Sequence, residues 1–252
     1  MAAKVKTAGA DQKKIRLRNQ IIVIAVIVVI FVICNFLTEG KLLRPNNIRT
    51  ILTQVTYPLM VGLGMMFIFT TGMIDLSVGA QVILAANMGA ISVEILGLGY
   101  PGLIISTMIM LVICELLCTS CSLFLKIPSW VAGLGCALVF EALGMIIVGV
   151  FSSSLGTSIV YLKHCKELGS FPVIFIIAIV VFFIAYFVFN RTKFGFNLRA
   201  IGGGGEVAEA MGINRKKTII LAAVIGALII SVGAITQLSY TGRFTPTSGM
   251  GS

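Results

Sequence analysis

The sequence predicts an all-α, polytopic transmembrane helical bundle of about seven spans. Three observations carry this. Hydrophobic residues make up 58% of the chain and charged residues only 11%, about half the charged share of a soluble domain. Apolar runs recur, each near the roughly 20 residues needed to cross the hydrocarbon core. Lys and Arg gather in the tail and in the segments between runs. A formal net charge of +10 would suggest nucleic acid in a soluble chain; with this distribution, topology explains it better.

Residues 1–20 form a basic tail, with Lys4, Lys6, Lys13, Lys14, Arg16 and Arg18 against Asp11 alone. It is expected to be mobile and cytoplasmic. Residues 21–252 then form a single membrane domain, with no room for a soluble catalytic domain. The runs are Ile21–Leu37, Ile51–Gly72, Val78–Leu98, Gly102–Leu125, Val131–Phe151, Pro172–Phe189 and Thr218–Leu238. The first ends in Cys34-Asn35-Phe36-Leu37 without a small-residue cleavage site, so it reads as a retained span. With the tail inside, inner segments hold 13 of the 19 Lys and Arg residues. The outer segments hold Lys41, Arg44, Arg49, Lys163, Lys166 and Arg243. This bias agrees with the positive-inside rule.

Two joints are short. Met73–Ser77 separates two runs, with Gly72 before it and Gly79 after. Lys126–Trp130 is a tight turn around Pro128, with Trp130 suited to the membrane interface. The outer stretch Ser152–Phe171 is longer and polar, with room for an amphipathic turn.

The loop Asn190–Lys217 is the most basic segment between spans, with six Lys or Arg against Glu206 and Glu209. Within it Val207, Ala210 and Met211 fall at i, i+3 and i+4, on one face of a short helix. Gly212 is placed to cap its C-terminus. Such a helix suits docking into a partner's groove; an ordinary solvated loop with one helical turn is the alternative. Gly202–Gly205 lacks the Gly-Lys-Ser/Thr and the preceding strand of a phosphate loop, so it reads as a flexible hinge. Any ATP is then hydrolysed by another chain.

Asp75 is the leading candidate for chemistry, because a carboxylate in apolar surroundings is costly unless paired, hydrated or capping a helix. It can N-cap the helix that follows. A structural organiser and a substrate or ion ligand both remain open for it. Glu94 lies near an outer end, within reach of water. Glu115 and Glu141 lie deeper, with Thr119 and Ser122 as possible partners. Cys114, Cys118 and Cys121 stand at i, i+4 and i+7 and read as small residues on a packing face. A redox or metal site there would want a helix N-terminus, a histidine or a second cysteine pair. His164, the one histidine, sits in an outer loop, which excludes a multi-histidine metal site. Gly62, Gly64, Gly89, Gly133, Gly135 and Gly144 suggest close helix contacts.

The stretch Gly72-Met-Ile-Asp75-Leu-Ser77-Val-Gly79 resembles the "GGIDLSVG" signature of permease subunits of bacterial ribose- and galactose-type ABC sugar importers. Asn190-Arg-Thr-Lys-Phe-Gly195, with Ala200-Ile-Gly-Gly203, Glu206, Ala208 and Gly212-Ile213, is similar to their cytoplasmic loop. Met73, Phe196, Gly204 and Gly205 depart from these patterns. The resemblance covers the chain from about Asn46 onward.

It implies an inner-membrane subunit importing a simple sugar by alternating access, and not an enzyme. No cofactor is expected on this chain, ATP and Mg being held by the partner. The implied partners are an ABC ATPase, an extracytoplasmic sugar-binding protein and a second permease subunit. Gly203, Glu206, Ala208, Glu209, Gly212 and Ile213 would couple to the ATPase; Gly72, Asp75, Ser77 and Gly79 would organise the substrate pathway. Family members continue past a Thr-Gly-Arg-Phe-Thr-Pro-Thr-Ser-Gly-like segment into further spans, so the chain is expected to be C-terminally truncated. The alternatives are a proton-coupled secondary transporter using Glu115 or Glu141, a non-functional remnant, or a redox or metal protein centred on Cys114–Cys121.

Overall fold

Apolar side chains in a bilayer need no aqueous partner, but backbone N–H and C=O groups there must bond within the chain, which leaves the helix as the available form for such runs. The computed structural model describes residues 2–153 and 160–245. Residues 154–159 of the predicted outer stretch and residues 246–249 of the last resembling segment lie outside these. The chain divides into two compact units, Met1–Ile51 and Leu52–Ser252.

In the first unit, α1 (Ala2–Leu37) is one unbroken helix that takes in the basic residues and the first apolar run. The chain turns through left-handed Glu39 and Gly40 into a single 3-10 turn, Lys41–Leu43. α2 (Pro45–Thr70) then begins on a proline, which lacks the N–H that a first helical position would leave unpaired.

The second unit carries the rest of α2, then α3 (Val78–Glu94), α4 (Gly99–Leu125) and α5 (Ser129–Ser153). α6 (Val173–Arg191), the short α7 (Lys193–Gly203) and α8 (Gly205–Ala210), and α9 (Arg215–Thr241) follow. Among the described residues six helices are long and apolar enough to span a membrane. The seventh predicted run, α3, is a helix of 17 residues, about 26 Å against a hydrocarbon core of about 30 Å. A helix of this length facing lipid would have to thin the bilayer around it. α3 need not, because α4, α5 and α9 surround it and 13 of its 17 residues are buried.

Small residues make that central position possible. Ala80, Ala85, Ala86 and Ala90 of α3 are all buried. On one side Val82 and Ala85 pack with Ile68 of α2, Leu111 of α4 and Ala227, Ile230 and Ala234 of α9. On another, Ala80 and Leu84 pack with Cys114 of α4 and Ala137 and Phe140 of α5. α2 and α9 cross backbone to backbone: a methyl group on Gly64 would lie 2.6 Å from the Gly226 carbonyl oxygen. Gly89 likewise fits against Thr107. Gly62 and Gly135, expected to mark contacts of this kind, have open space beside them, so their spacing alone did not locate a helix crossing.

The structure sorts the loops of this unit to the two ends that the charge map predicts. At one end the main chain of Leu162 donates to Gly242 O, Tyr100 Oη donates to Glu167, and Arg243 donates to and stacks on Tyr161. At the other end Ile74 N–H donates to Ser129 Oγ and Gly202 of α7 lies against the Thr70 carbonyl. One expectation at the first end is corrected. Glu94 does not simply face water: its Oε1 accepts the N–H groups of Lys163 and His164, at 2.8 and 3.0 Å, and lies 3.2 Å from His164 Nδ1. The polar stretch is anchored by apolar residues, since Val160 and Leu162 insert among Ile91, Leu103 and Leu238.

Candidate functional site

Between α2 and α3 the chain leaves helical geometry for Met73–Ser77, with Gly72 at a positive φ of 83° that a side chain would strain. Non-helical backbone enclosed by helices needs polar partners supplied by the protein itself. Asp75 is one source. Its Oδ1 accepts from Ser77 N–H and Ser77 Oγ, both at 2.7 Å, and from Cys118 Sγ at 3.4 Å. Its Oδ2 accepts from Gln81 Nε2 at 2.9 Å.

The capping expectation is modified in one respect. Ser77 occupies the N-cap position of α3, and Asp75 acts from two residues earlier, closing a local turn on the Ser77 amide. The carboxylate organises the joint through that turn and through the α3 side chain Gln81.

The cluster extends to α4. Gln81 Nε2 also lies 2.7 Å from Ser77 Oγ and 3.1 Å from Glu115 Oε2, and Thr119 donates to Glu115 Oε1 at 3.1 Å. The Glu115–Thr119 pairing was expected. Gln81 was not singled out, although a glutamine in the first turn of an apolar run was the visible signal. Ser129, within the Lys126–Trp130 turn, and Gly133, expected at a close helix contact, close the cluster from α5.

Cys114 packs in the α3–α4–α5 core as expected of a small residue, whereas Cys118 adds its thiol to Asp75. Gly79 stands apart from the cluster. It lines a cavity of about 630 Å³ with Tyr57, Ile83, Thr241, Arg243, Phe244 and Thr245, between α2, α3 and the end of α9.

The Asn190–Lys217 loop is more ordered than predicted. Thr192 Oγ1 accepts from Gly195 N–H and caps α7, which buries Leu198 and Ile201. The Thr-x-x-Gly start and the apolar residues Phe194, Leu198 and Ile201 at helical spacing are the sequence signal for α7. Gly202 and Gly203 belong to α7, so the glycine run is not a continuous hinge; the helical break falls at Gly204.

The predicted short helix is α8. It ends with Ile213 N–H bonded to Ala208 O and Gly212 N–H to Glu209 O, with Gly212 at φ 85°, the paired bonds of a Schellman cap. Ala208 is buried. Val207 and Met211 are 65% and 63% exposed, and Glu206, Glu209 and Ala210 also face outward. The structure therefore groups Gly72, Asp75 and Ser77 in one joint, places Glu206, Ala208, Glu209, Gly212 and Ile213 on α8 and its cap, and leaves Gly203 at the end of α7.

Comparisons with known proteins agree with this architecture. The profile described as "Branched-chain amino acid transport system / permease component" matches residues 47–252. The galactose/methyl galactoside import permease protein MglC of Haemophilus influenzae is 26% identical, covering 81% of this chain and 66% of its own length. The fructose import permease protein FruG of Bifidobacterium longum is 27% identical, covering 99% of this chain and 76% of its own. The D-allose transport system permease protein AlsC of Escherichia coli is 24% identical over 91% of this chain and 69% of its own. Against MglC of Treponema pallidum the chain spans 40% of the relative's length. No solved structure matches. A helical bundle of this topology, matched by the profile from Asn47 onward, places the chain in one family: it belongs to the permease components of the branched-chain amino acid transport system type.

Proposed function

We propose that this chain is a membrane-spanning permease subunit of an ATP-driven importer that carries a simple sugar such as ribose or galactose across the bacterial inner membrane, with its N-terminus in the cytoplasm. The observation that carries the reading is the alignment of relatives named for galactose, fructose and allose over 81–99% of this chain. The chain is not itself an enzyme. ATP and Mg belong to a separate ABC ATPase, for which the exposed Val207–Ala210–Met211 face of α8 is the docking element.

An extracytoplasmic sugar-binding protein delivers the sugar, and a second permease subunit, identical or sister, completes the pathway. The cavity beside Gly79 combines the rings of Tyr57 and Phe244 with the polar groups of Thr241 and Arg243. It falls within the size range of small-molecule sites, and it supports a pathway between α2, α3 and α9. ATP drives the cycle because it binds one arrangement of the ATPase better than the other; this chain transmits that preference to its helices.

The test is uptake of a panel of labelled sugars in the native host, with and without the gene, under ATP depletion and separately under an uncoupler. Gene-dependent uptake that fails on ATP depletion and survives the uncoupler is the expected result. Loss under the uncoupler alone overturns it in favour of proton coupling.

A further inference from the structure

The polar cluster between α3 and α4 is incomplete in charge. Asp75 and Glu115 are 5% and 0% exposed. Their hydrogen-bond donors are Ser77 N–H and O–H, Cys118 S–H, the Gln81 amide and the Thr119 hydroxyl, all of them neutral. Among the described residues no ion pair involves Asp75 or Glu115, so neither carboxyl group has a cation from the protein. Asp75 and Glu115 also face each other, and two buried carboxyl groups with only neutral donors cannot both stay ionised unless a proton or a bound cation compensates.

A second observation comes from Gln81, which is fully buried and extends its carboxamide into the cluster. Its Nε2 lies among three oxygens, Ser77 Oγ, Asp75 Oδ2 and Glu115 Oε2, at 2.7, 2.9 and 3.1 Å. An amide nitrogen has two hydrogens for these three acceptors. The other end of the same carboxamide, Oε1, has no hydrogen-bond partner at all. An acceptor without a donor therefore sits one amide rotation from a ring of oxygens that lacks a positive charge.

We propose that Asp75, Ser77, Gln81 and Glu115 form a site for one monovalent hard cation, sodium or potassium. In the bound form the Gln81 amide is turned so that Oε1 joins Asp75 Oδ2, Ser77 Oγ and Glu115 Oε2. All four candidate ligands are oxygens, as a hard cation requires. The enclosed site does not offer the retained waters that magnesium keeps, and calcium is an outcome of the test. The ion ties the α2–α3 joint to α4, so its role is to fix the packing of the central helix. The inference is independent of which solute the chain carries.

The experiment uses the full chain in detergent at fixed pH and ionic strength, with sodium, potassium or choline chloride. Thermal unfolding is followed in each, together with equilibrium binding of radioactive sodium. Sodium or potassium is expected to raise Tm over choline by about 3–5 °C for each tenfold step above its Kd. Glu115→Gln should abolish that response. Gln81→Lys, which places an ammonium among the same oxygens, should hold the chain in choline at the Tm the wild type reaches in saturating salt, and should respond to neither ion. Equal Tm in all three salts overturns the proposal. So does stabilisation by divalent ions alone, or by acid alone, which would assign the missing charge to a proton; a salt response in Gln81→Lys equal to that of the wild type also overturns it.

Discussion

Gly133 of α5 lies directly against the Asp75 turn. A methyl group added there would stand 2.7 Å from the Leu76 nitrogen and 3.0 Å from Asp75 Oδ1. The helix that closes the cluster can approach because it presents no side chain at that point. Asp75 and its backbone partners are thereby enclosed by packing as well as by hydrogen bonds.

Gly133→Ala should accordingly destabilise the chain by about 1–3 kcal/mol, the usual cost of overpacking a filled site, and Gly133→Val by more. Gly135→Ala, two residues along the same helix and with open space beside it, should leave stability nearly unchanged. Thermal unfolding of the three proteins in detergent compares them directly. Equal losses at both positions would mean that the approach of α5 to Asp75 is not what Gly133 serves.

Asp75 itself should be graded by what each substitution leaves unpaired. Asp75→Ala removes the acceptor of Ser77 N–H, Ser77 Oγ, Cys118 and one Gln81 contact. A buried polar group left unsatisfied costs about 1–3 kcal/mol, so loss of most of the folded chain is expected. Asp75→Asn keeps one carbonyl for Ser77 but turns an amide donor toward a neighbouring donor, and should fall between Ala and the wild type. Ser77→Ala should be mildest, because the Asp75 bond to the Ser77 backbone survives. The recovered monodisperse fraction after detergent extraction would rank them, and Asn equal to wild type would reduce the carboxylate to a carbonyl's role.

Much of this site was legible in the sequence, and the reason is that it is local. Asp75, Ser77 and Gly72 lie within six residues, and the physics that singled them out, a carboxylate and a glycine at a break between apolar runs, needs no tertiary information. The α8 cap was legible for the same reason, since Gly212 closes a turn on Glu209 and Ala208. What escaped were relations across helices. Glu115 meets Gln81 over 34 positions, and Glu94 meets His164 over 70. Periodicity gives the face of a helix but not its rotation against a neighbour, so Glu94 could be placed at an outer end without its partner being known. α3 shows the same limit: its apolar run reads as one more span, and only packing by α4, α5 and α9 reveals that it is buried.

The α8 element yields a prediction that separates docking from folding. Glu206 and Glu209 are exposed, and neither side chain makes a hydrogen bond or ion pair among the described residues, so charge reversal should not disturb the helix beyond about 0.5 kcal/mol, the usual range for surface positions. Glu206→Lys with Glu209→Lys is expected to abolish co-purification of the ATPase while membrane insertion remains intact. Val207→Asp, which alters the exposed apolar face alone, should weaken the same association. Normal recovery of the ATPase with both variants would remove α8 from the coupling interface.

The outer strap offers a chemical readout on Cys165. Burial, with Glu94 and Glu167 nearby as lesser causes, raises its thiol above the ordinary range. The thiolate is the reactive form, so at neutral pH alkylation should be slow, and its rate should keep rising with pH beyond the point where a free cysteine levels off. Cysteines elsewhere in the chain are first replaced, so that a membrane-impermeant maleimide reports on this position alone. Glu94 holds the strap through the amides of Lys163 and His164. Glu94→Ala removes both the acceptor and a nearby negative charge. Two effects then act in one direction: the strap opens, and the thiol moves back toward its usual value. Alkylation at pH 7 should rise severalfold, and amide exchange at Lys163 and His164 should quicken with it. Glu94→Gln keeps an acceptor without the charge, so it should shift the pH profile while leaving amide exchange closer to the wild type. Faster exchange with an unchanged profile would separate the latch from the electrostatics and assign Glu94 to the first alone. Labelling of intact cells reads the sidedness in the same assay, with reaction from outside expected if α1 starts in the cytoplasm.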